Sequence, residues 1–297
     1  MREAVANLLR TLPAAAVASA ALLLFAPSTA AQSLTIDIGE RIIHPGDAVL
    51  VRLTAPDNIK TLKVAAFSTN WPAYRLDDGT WRALIGVDLD RKPGTYAVTV
   101  TTSTVPSLTA SQDMRVAPKT FRRRVLTVNP DFVNPPQSQQ ARIEREALLT
   151  RSVYEHVDPA PRWIEGMLRP VKDPANSSFG TRSVFNGQAR SPHAGTDFLS
   201  AAGTPIHAPG AGKVVVARDL YFTGNTVIID HGLGVFSMLA HMSRIDVQEG
   251  LAVARGDVVG LVGATGRVTG PHLHWALRIG TARVDPLTAL AVLPVDR

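Results

Sequence analysis

The stretch "TGPHLHW", Thr269 to Trp275, places two of the chain's eight histidines one residue apart. Apolar and turn residues ring the pair, and the segment reads as a strand. Side chains two apart on a strand stand on one face, so His272 and His274 aim two imidazoles into the same cleft. Outward from this pair the texture is consistent. From about Trp163 glycines are dense, and the β-branched runs "KVVVA", "NTVIID" and "DVVGLVG" are separated by the turns "PGAG", "HGLG" and "VQEG". No helical pattern of useful length appears before "DPLTALAVL". Residues 163–297 therefore read as an all-β domain, and they hold six of the eight histidines.

Those six sort by setting. "PHAGTDF" places His193 four residues before Asp197, and Gly195 between them is expected to allow a tight bend that turns both side chains to one point. "MLAHMS" puts His241 inside an apolar strand, where an isolated charge is costly. His207 in "TPIHAP" and His231 in "IDHGLG" lie beside turns and read as structural. The chain has no cysteine, which excludes disulfides and thiolate metal ligands, so any metal site must use His, Asp or Glu. Catalytic zinc takes three such protein ligands and leaves a position for water. Spacing alone does not choose the ligands among these residues.

The N-terminal part has a different pattern. Between Ser33 and about Ala117 short runs alternate ("LTIDI", "AVLVRL", "TYAVTV"), divided by the turn signals "HPGD", "APDN", "LDDG" and "RKPG". This reads as a small β-sandwich, immunoglobulin-like in outline, over 32–118. His44 falls in one of its turns. Residues 119–162 read as one more strand, with the basic run "FRRRV" on a solvated edge, followed by a proline-rich connector and a helix from about Ser138 to Val157. Ser138 is its expected cap, and His156 lies in its last turn.

The chain begins with two arginines, an apolar run and the small-residue stretch "STAAQS" (Ser28–Ser33), the order of a secretory signal peptide over 1–31 cleaved near Ala30 or Ala31. No other segment has the roughly 20 apolar residues of a membrane span. Net charge is +6, which on an exported chain favours an anionic surface such as a cell wall. No nucleic-acid motif or aromatic platform is present.

From Phe179 to Pro286 the chain closely resembles the lysostaphin-type (LytM-like) zinc endopeptidases of bacterial peptidoglycan. The matching segments are "FGTRSVFNGQARSPHAGTDF", "GTPIHAPGAGKVV", "NTVIIDHGLGVFSMLAHMS" and "ARGDVVGLVGATGRVTGPHLHW". The resemblance implies a twisted antiparallel sheet of the lysostaphin type, a duplicated hybrid motif, with an open groove. It implies that His193, Asp197 and His274 hold zinc, that His272 acts on the zinc-bound water, and that His241 helps stabilise the oxyanion. Arg182 and Asn186 precede the first ligand and are candidates for substrate contact. Many members of the family carry tyrosine where this chain has Leu239, a departure expected to affect rate rather than fold. The resulting expectation is an exported metalloendopeptidase that acts as a monomer on peptidoglycan in the periplasm or envelope. It has no stable membrane span after cleavage. The alternative is a non-catalytic regulator of wall amidases built on the same fold. The N-terminal region is expected to position the enzyme on the wall or to cover its groove, with a passive spacer as the alternative.

Overall fold

The computed structural model describes residues 33–127, 133–176 and 178–293; the signal segment expected at 1–31 lies outside them. The described chain is mostly β, and its sheets are predominantly antiparallel, as the alternating and β-branched runs require.

Eight strands come first: β1 (Thr35–Asp37), β2 (Ala48–Thr54), β3 (Leu62–Ala66), β4 (Thr69–Trp71), β5 (Ala73–Arg75), β6 (Trp81–Gly86), β7 (Gly94–Thr102) and β8 (Thr109–Val116). They form two four-stranded sheets, in the orders β1-β2-β6-β5 and β4-β3-β7-β8. The period-2 pattern of the sequence turns Val51, Leu53 and Ala83 of one sheet and Val64, Val98 and Val100 of the other into a single core.

The basic run then forms β9 (Arg123–Leu126), which pairs in parallel with β10 (Arg182–Phe185), itself paired to β11 (Gln188–Ala189). Between β9 and β10 lies helix α1 (Gln137–Glu155). Its N-cap is Pro136, two residues before the expected cap, and no side chain caps it, so Ser138 is inside the first turn. Proline's fixed φ is compatible with the non-helical backbone of this N-cap, and its side chain has no acceptor for a capping bond. His156 is the C-cap, in extended backbone, rather than a member of the last turn. No residue of α1 is fully buried, and Leu148 is exposed; Val153 and Tyr154 pack on Val216, Ile228 and Phe236, and nearer the start of the helix Arg142 donates to Asp219 and Glu146 accepts from the Tyr221 N–H.

The remaining strands are β12 (Gly195–Phe198), β13 (Pro205–His207), β14 (Gly212–Leu220), β15 (Gly224–Asp230), β16 (Val235–Ile245), β17 (Ala252–Val253), β18 (Val258–Val262), β19 (Leu273–Ile279) and β20 (Ala282–Val284), followed by α2 (Pro286–Val292). They make one nine-stranded sheet whose spine runs β12-β19-β16-β15-β14-β17. Its apolar face, with Phe198, Leu239, Trp275 and Leu277, continues the core of the first two sheets. Polar ties reinforce that junction. Arg283 on β20 donates to Asp88 and Asp90, each at 2.7 Å, and the Ala48 N–H donates to Thr288 of α2 at 3.0 Å. No helix among the described residues is long and apolar enough to cross a membrane.

Candidate metal centre

Strand pairing brings the sequence-predicted ligands together. Asp197 on β12 is directly opposite His274 on β19, and antiparallel partners share a face. His193, just before β12, closes the group. Its Nε2 is 3.0 Å from His274 Nδ1 and 3.1 Å from Asp197 Oδ1, and His274 Nδ1 is 2.9 Å from the same oxygen. Gly195 contributes differently from the expected bend. It lies in extended backbone within β12, and a Cβ there would come within 2.6 Å of the His274 ring and 2.7 Å of the Trp275 carbonyl oxygen. Its missing side chain makes room for the ligand.

The tautomers follow from the acceptors. A carbonyl oxygen can only accept, so a ring nitrogen bonded to one carries the proton. His193 Nδ1 bonds the Ser178 carbonyl at 3.2 Å, His272 Nδ1 that of Gly270 at 2.9 Å, and His241 Nδ1 that of Thr265 at 2.9 Å. In the neutral rings each Nε2 therefore presents a lone pair. The three atoms of the His193–Asp197–His274 triangle thus have too few protons among them to satisfy every contact. This nitrogen and carboxylate set, with the Ser178 carbonyl orienting the His193 ring from behind, fits a zinc ion.

Electrostatics point the same way. Burial pushes the Asp197 carboxyl up, but when the His193 and His274 rings are protonated their hydrogen bonds and charges outweigh it and hold the group far below the usual carboxylate range. Burial presses His274 down, against the pull of Asp197. Burial and then the neighbouring His274 push His241 down to about 4.

His241 reaches the cleft through a backbone irregularity. Strand β16 pairs with β19 as far as Ala240 and with β18 from Met242 onward, and His241, at the change of partner, is left-handed at φ +65°. Its N–H is held by the Thr223 carbonyl. The ring lies 4.9 Å from that of His272 and 5.8 Å from that of His274. Leu239, two residues earlier, stays on the core side opposite Trp275 and is fully buried. A tyrosine hydroxyl at this position would have to enter the core rather than the cleft.

Residues 191–286 match the family described as Peptidase family M23. A crystal structure of a candidate M23 peptidase from Pseudomonas aeruginosa superposes with a TM-score of 0.65 at 32% identity, covering 85% of this chain and 96% of that one. The chain belongs to peptidase family M23. Among curated M23 relatives, the peptidoglycan DD-endopeptidase ShyA of Vibrio cholerae is 44% identical over 38% of this chain and 27% of its own length. The DD-carboxypeptidase/endopeptidase Mpg of Neisseria meningitidis is 39% identical over 34% of this chain and 24% of its own. The chain thus spans about a quarter of the length of the curated relatives it matches.

The M23 site opens into a cleft of about 350 Å³ that includes His193, Asp197, His241, His272 and His274. Two expected substrate contacts lie elsewhere. Arg182 is exposed and pairs with Asp90 at 2.7 Å, and Asn186 occupies the turn after β10 in left-handed backbone. Neither lines the cleft; Arg124, Arg190 and Arg267 do. The run at Arg122–Arg124 reads in sequence as a solvated edge, and only the pairing of β9 with β10 brings Arg124 into the wall. His207 and His231 are structural, as expected. His207 bonds the Gly256 carbonyl, and His231 is buried between the Ala211 carbonyl and the Ser237 hydroxyl.

Proposed function

We propose that the mature chain is an exported zinc endopeptidase that hydrolyses peptide cross-links in bacterial peptidoglycan. The convergence of His193 Nε2, Asp197 Oδ1 and His274 Nδ1 within 2.9–3.1 Å of one another, beside two further histidines, carries this reading. The names of the relatives in Vibrio and Neisseria support wall peptides as the substrate. An open cleft suits a polymer.

When bound, zinc supplies Lewis acidity that polarises a scissile carbonyl and lowers the pKa of water. His193, Asp197 and His274 hold it. His272 is the proton acceptor: the Gly270 carbonyl fixes its proton on Nδ1, leaving Nε2 as the base. His241 is neutral, with its own proton on Nδ1, so it donates to a developing oxyanion only after Nε2 is protonated. With ring centroids 4.9 Å apart, His272 and His241 are placed to divide one proton between base and oxyanion-stabilising roles. A regulator without catalysis has no use for this complete set.

We carry forward the division into a leader (1–31), a sandwich (32–118), a connector (119–162) and a catalytic domain (163–297). The end of β8 at Val116 and the start of β9 at Arg123 support its second boundary. The leader motivates placement in the periplasm or envelope.

The test is mass spectrometry of purified peptidoglycan digested by the zinc-loaded chain. Expected are monomeric muropeptides released from cross-linked ones, with new peptide termini. New sugar reducing ends, cleavage between glycan and stem, or no release would overturn the reading.

A further inference from the structure

The turn Tyr221–Thr223, between β14 and β15, is held by two other segments of the chain. Phe222 and Thr223 line the cleft, and the Thr223 carbonyl accepts the His241 N–H at 2.9 Å. One holding segment is the loop after β18. Its Arg267 N–H donates to the Phe222 carbonyl at 2.9 Å, and its Thr265 hydroxyl accepts from the Asn225 N–H at 2.9 Å. Gly224, left-handed at φ +59°, closes the turn where a Cβ would strike Thr265 and come within 2.6 Å of the Gly266 nitrogen. The other holding segment is α1, which precedes the family-matched residues 191–286. Glu146 Oε2 accepts the Tyr221 N–H at 2.7 Å, and its Oε1 accepts from Arg142 Nε at 2.6 Å. Arg142 also donates to the Asp219 carboxylate at 2.8 Å.

A residue other than glycine persists in left-handed backbone only where its surroundings over-determine it. His241 is such a residue, at φ +65°. Its N–H is bonded to Thr223 and its ring Nδ1 to Thr265, so both ties come from the turn and loop that pack together at Gly224. Helix α1 clasps the far end of that turn with a carboxylate whose two oxygens are both engaged, and charge-assisted bonds of this kind are the stronger ones. We propose that Glu146 is a positioning residue for the reaction. From the connector helix it fixes the Tyr221–Thr223 turn, and through Thr223 it holds His241 in the conformation that brings its ring to the cleft. The proposal rests on the peptidase reading above and extends its working parts beyond the catalytic domain. No described hydrogen bond joins this turn to His193, Asp197 or His274, so zinc binding is independent of it.

The experiment follows zinc-loaded full chain in two readouts. With a synthetic cross-linked stem-peptide dimer, kcat should fall about 10–100-fold in Glu146→Ala, the scale of a small misplacement transmitted to a reacting group. Zinc affinity, read by chelator competition, should stay unchanged. Glu146→Gln keeps an acceptor for the Tyr221 N–H and should recover most of the rate. In a His241→Ala background, Glu146→Ala should cost little, because the group it positions is gone. An equal loss in both backgrounds, or zinc affinity falling with the rate, would overturn the proposal. The second readout is amide hydrogen exchange. The His241 N–H should exchange about 10–100-fold faster in Glu146→Ala, while β16 amides from Val235 to Leu239 stay protected. Unchanged exchange at His241, or faster exchange spread evenly along β16, would also overturn it. If Glu146→Ala does not fold, Arg142→Ala removes the second partner of the carboxylate and should give a smaller rise at His241; no rise refutes the clasp. If wild type cleaves no peptide, faster exchange confined to His241 keeps the positioning and sinks the hydrolase reading.

Discussion

His231 lies in the core behind the cleft, and His193, His241 and His272 stand in front, around the ligand set. Behind, both ring nitrogens of His231 are engaged by the protein, one by the Ala211 carbonyl at 2.8 Å and the other by Ser237 at 2.9 Å, which also accepts from Trp275 Nε1. In front, each of the three rings gives one nitrogen to a backbone carbonyl and turns the other toward the cleft. Burial acts on both places alike and pushes His231 and His241 down to about 4. What separates His231 from the three rings in front is therefore the partner of its second nitrogen.

The largest test of that contrast pairs two substitutions in front. His193→Ala should lose both zinc and turnover, while His272→Ala should keep zinc and lose about 10²–10⁴-fold in kcat, the usual contribution of a positioned proton-transfer group. Elemental analysis run beside muropeptide release separates them. Near-normal release by His272→Ala would remove it from the base role, and zinc retained at wild-type level by His193→Ala would dismantle the ligand assignment.

Gly195→Ala probes the room behind the ligand. A Cβ 2.7 Å from the Trp275 carbonyl oxygen cannot be absorbed by side-chain motion alone, so the His274 ring must move. Zinc affinity should fall about 10–100-fold, the range seen when the groups that orient a ligand are disturbed. Competition against a chelator reads it, and unchanged affinity would show that β12 yields instead.

His231 sharpens the comparison from behind. Its folded pKa of about 4 lies below the ordinary 6.5, so between these values an unfolded chain binds a proton that the folded one refuses. Stability should fall as pH drops through that window and level off below it, by up to about 3 kcal/mol. Urea unfolding of the zinc-free chain at several pH values, beside His231→Asn, isolates this share. Asn retains a donor for the Ala211 carbonyl and does not titrate, so its profile should be flatter. Parallel profiles would remove His231 as a source of acid sensitivity.

The smallest effect concerns Leu239. Because its side chain packs beside Trp275 in the core, Leu239→Tyr should cost about 1–3 kcal/mol through overpacking and bring no gain in kcat. A faster enzyme of unchanged stability would place the hydroxyl in the cleft after all.

Much of this was legible in the sequence for a physical reason. A strand's period of two makes His272-x-His274 a statement about one face, and the β-branched runs around it identify the sheet that carries them. The same period misleads at His241. Alternation would put it on the core face with Leu239, and only the exchange of partners along β16, with its left-handed residue, turns it outward. Arg124 is hidden because nothing local in "FRRRV" announces a parallel partner more than fifty residues away. Ser138 misled for the opposite reason: it is a good cap by type, but Pro136 opens the helix first.

The parallel pairing of β9 with β10 also bears on inheritance. A chain shortened to start at Arg162 would lose β9, and with it Arg124, from the edge of the cleft. Recombination that exchanged the N-terminal region among relatives would likewise carry a piece of the active-site wall to its new host. In this chain a seam that looks clean along the sequence runs through the working surface, and shuffled descendants would differ in what they accept as well as in what precedes the catalytic domain.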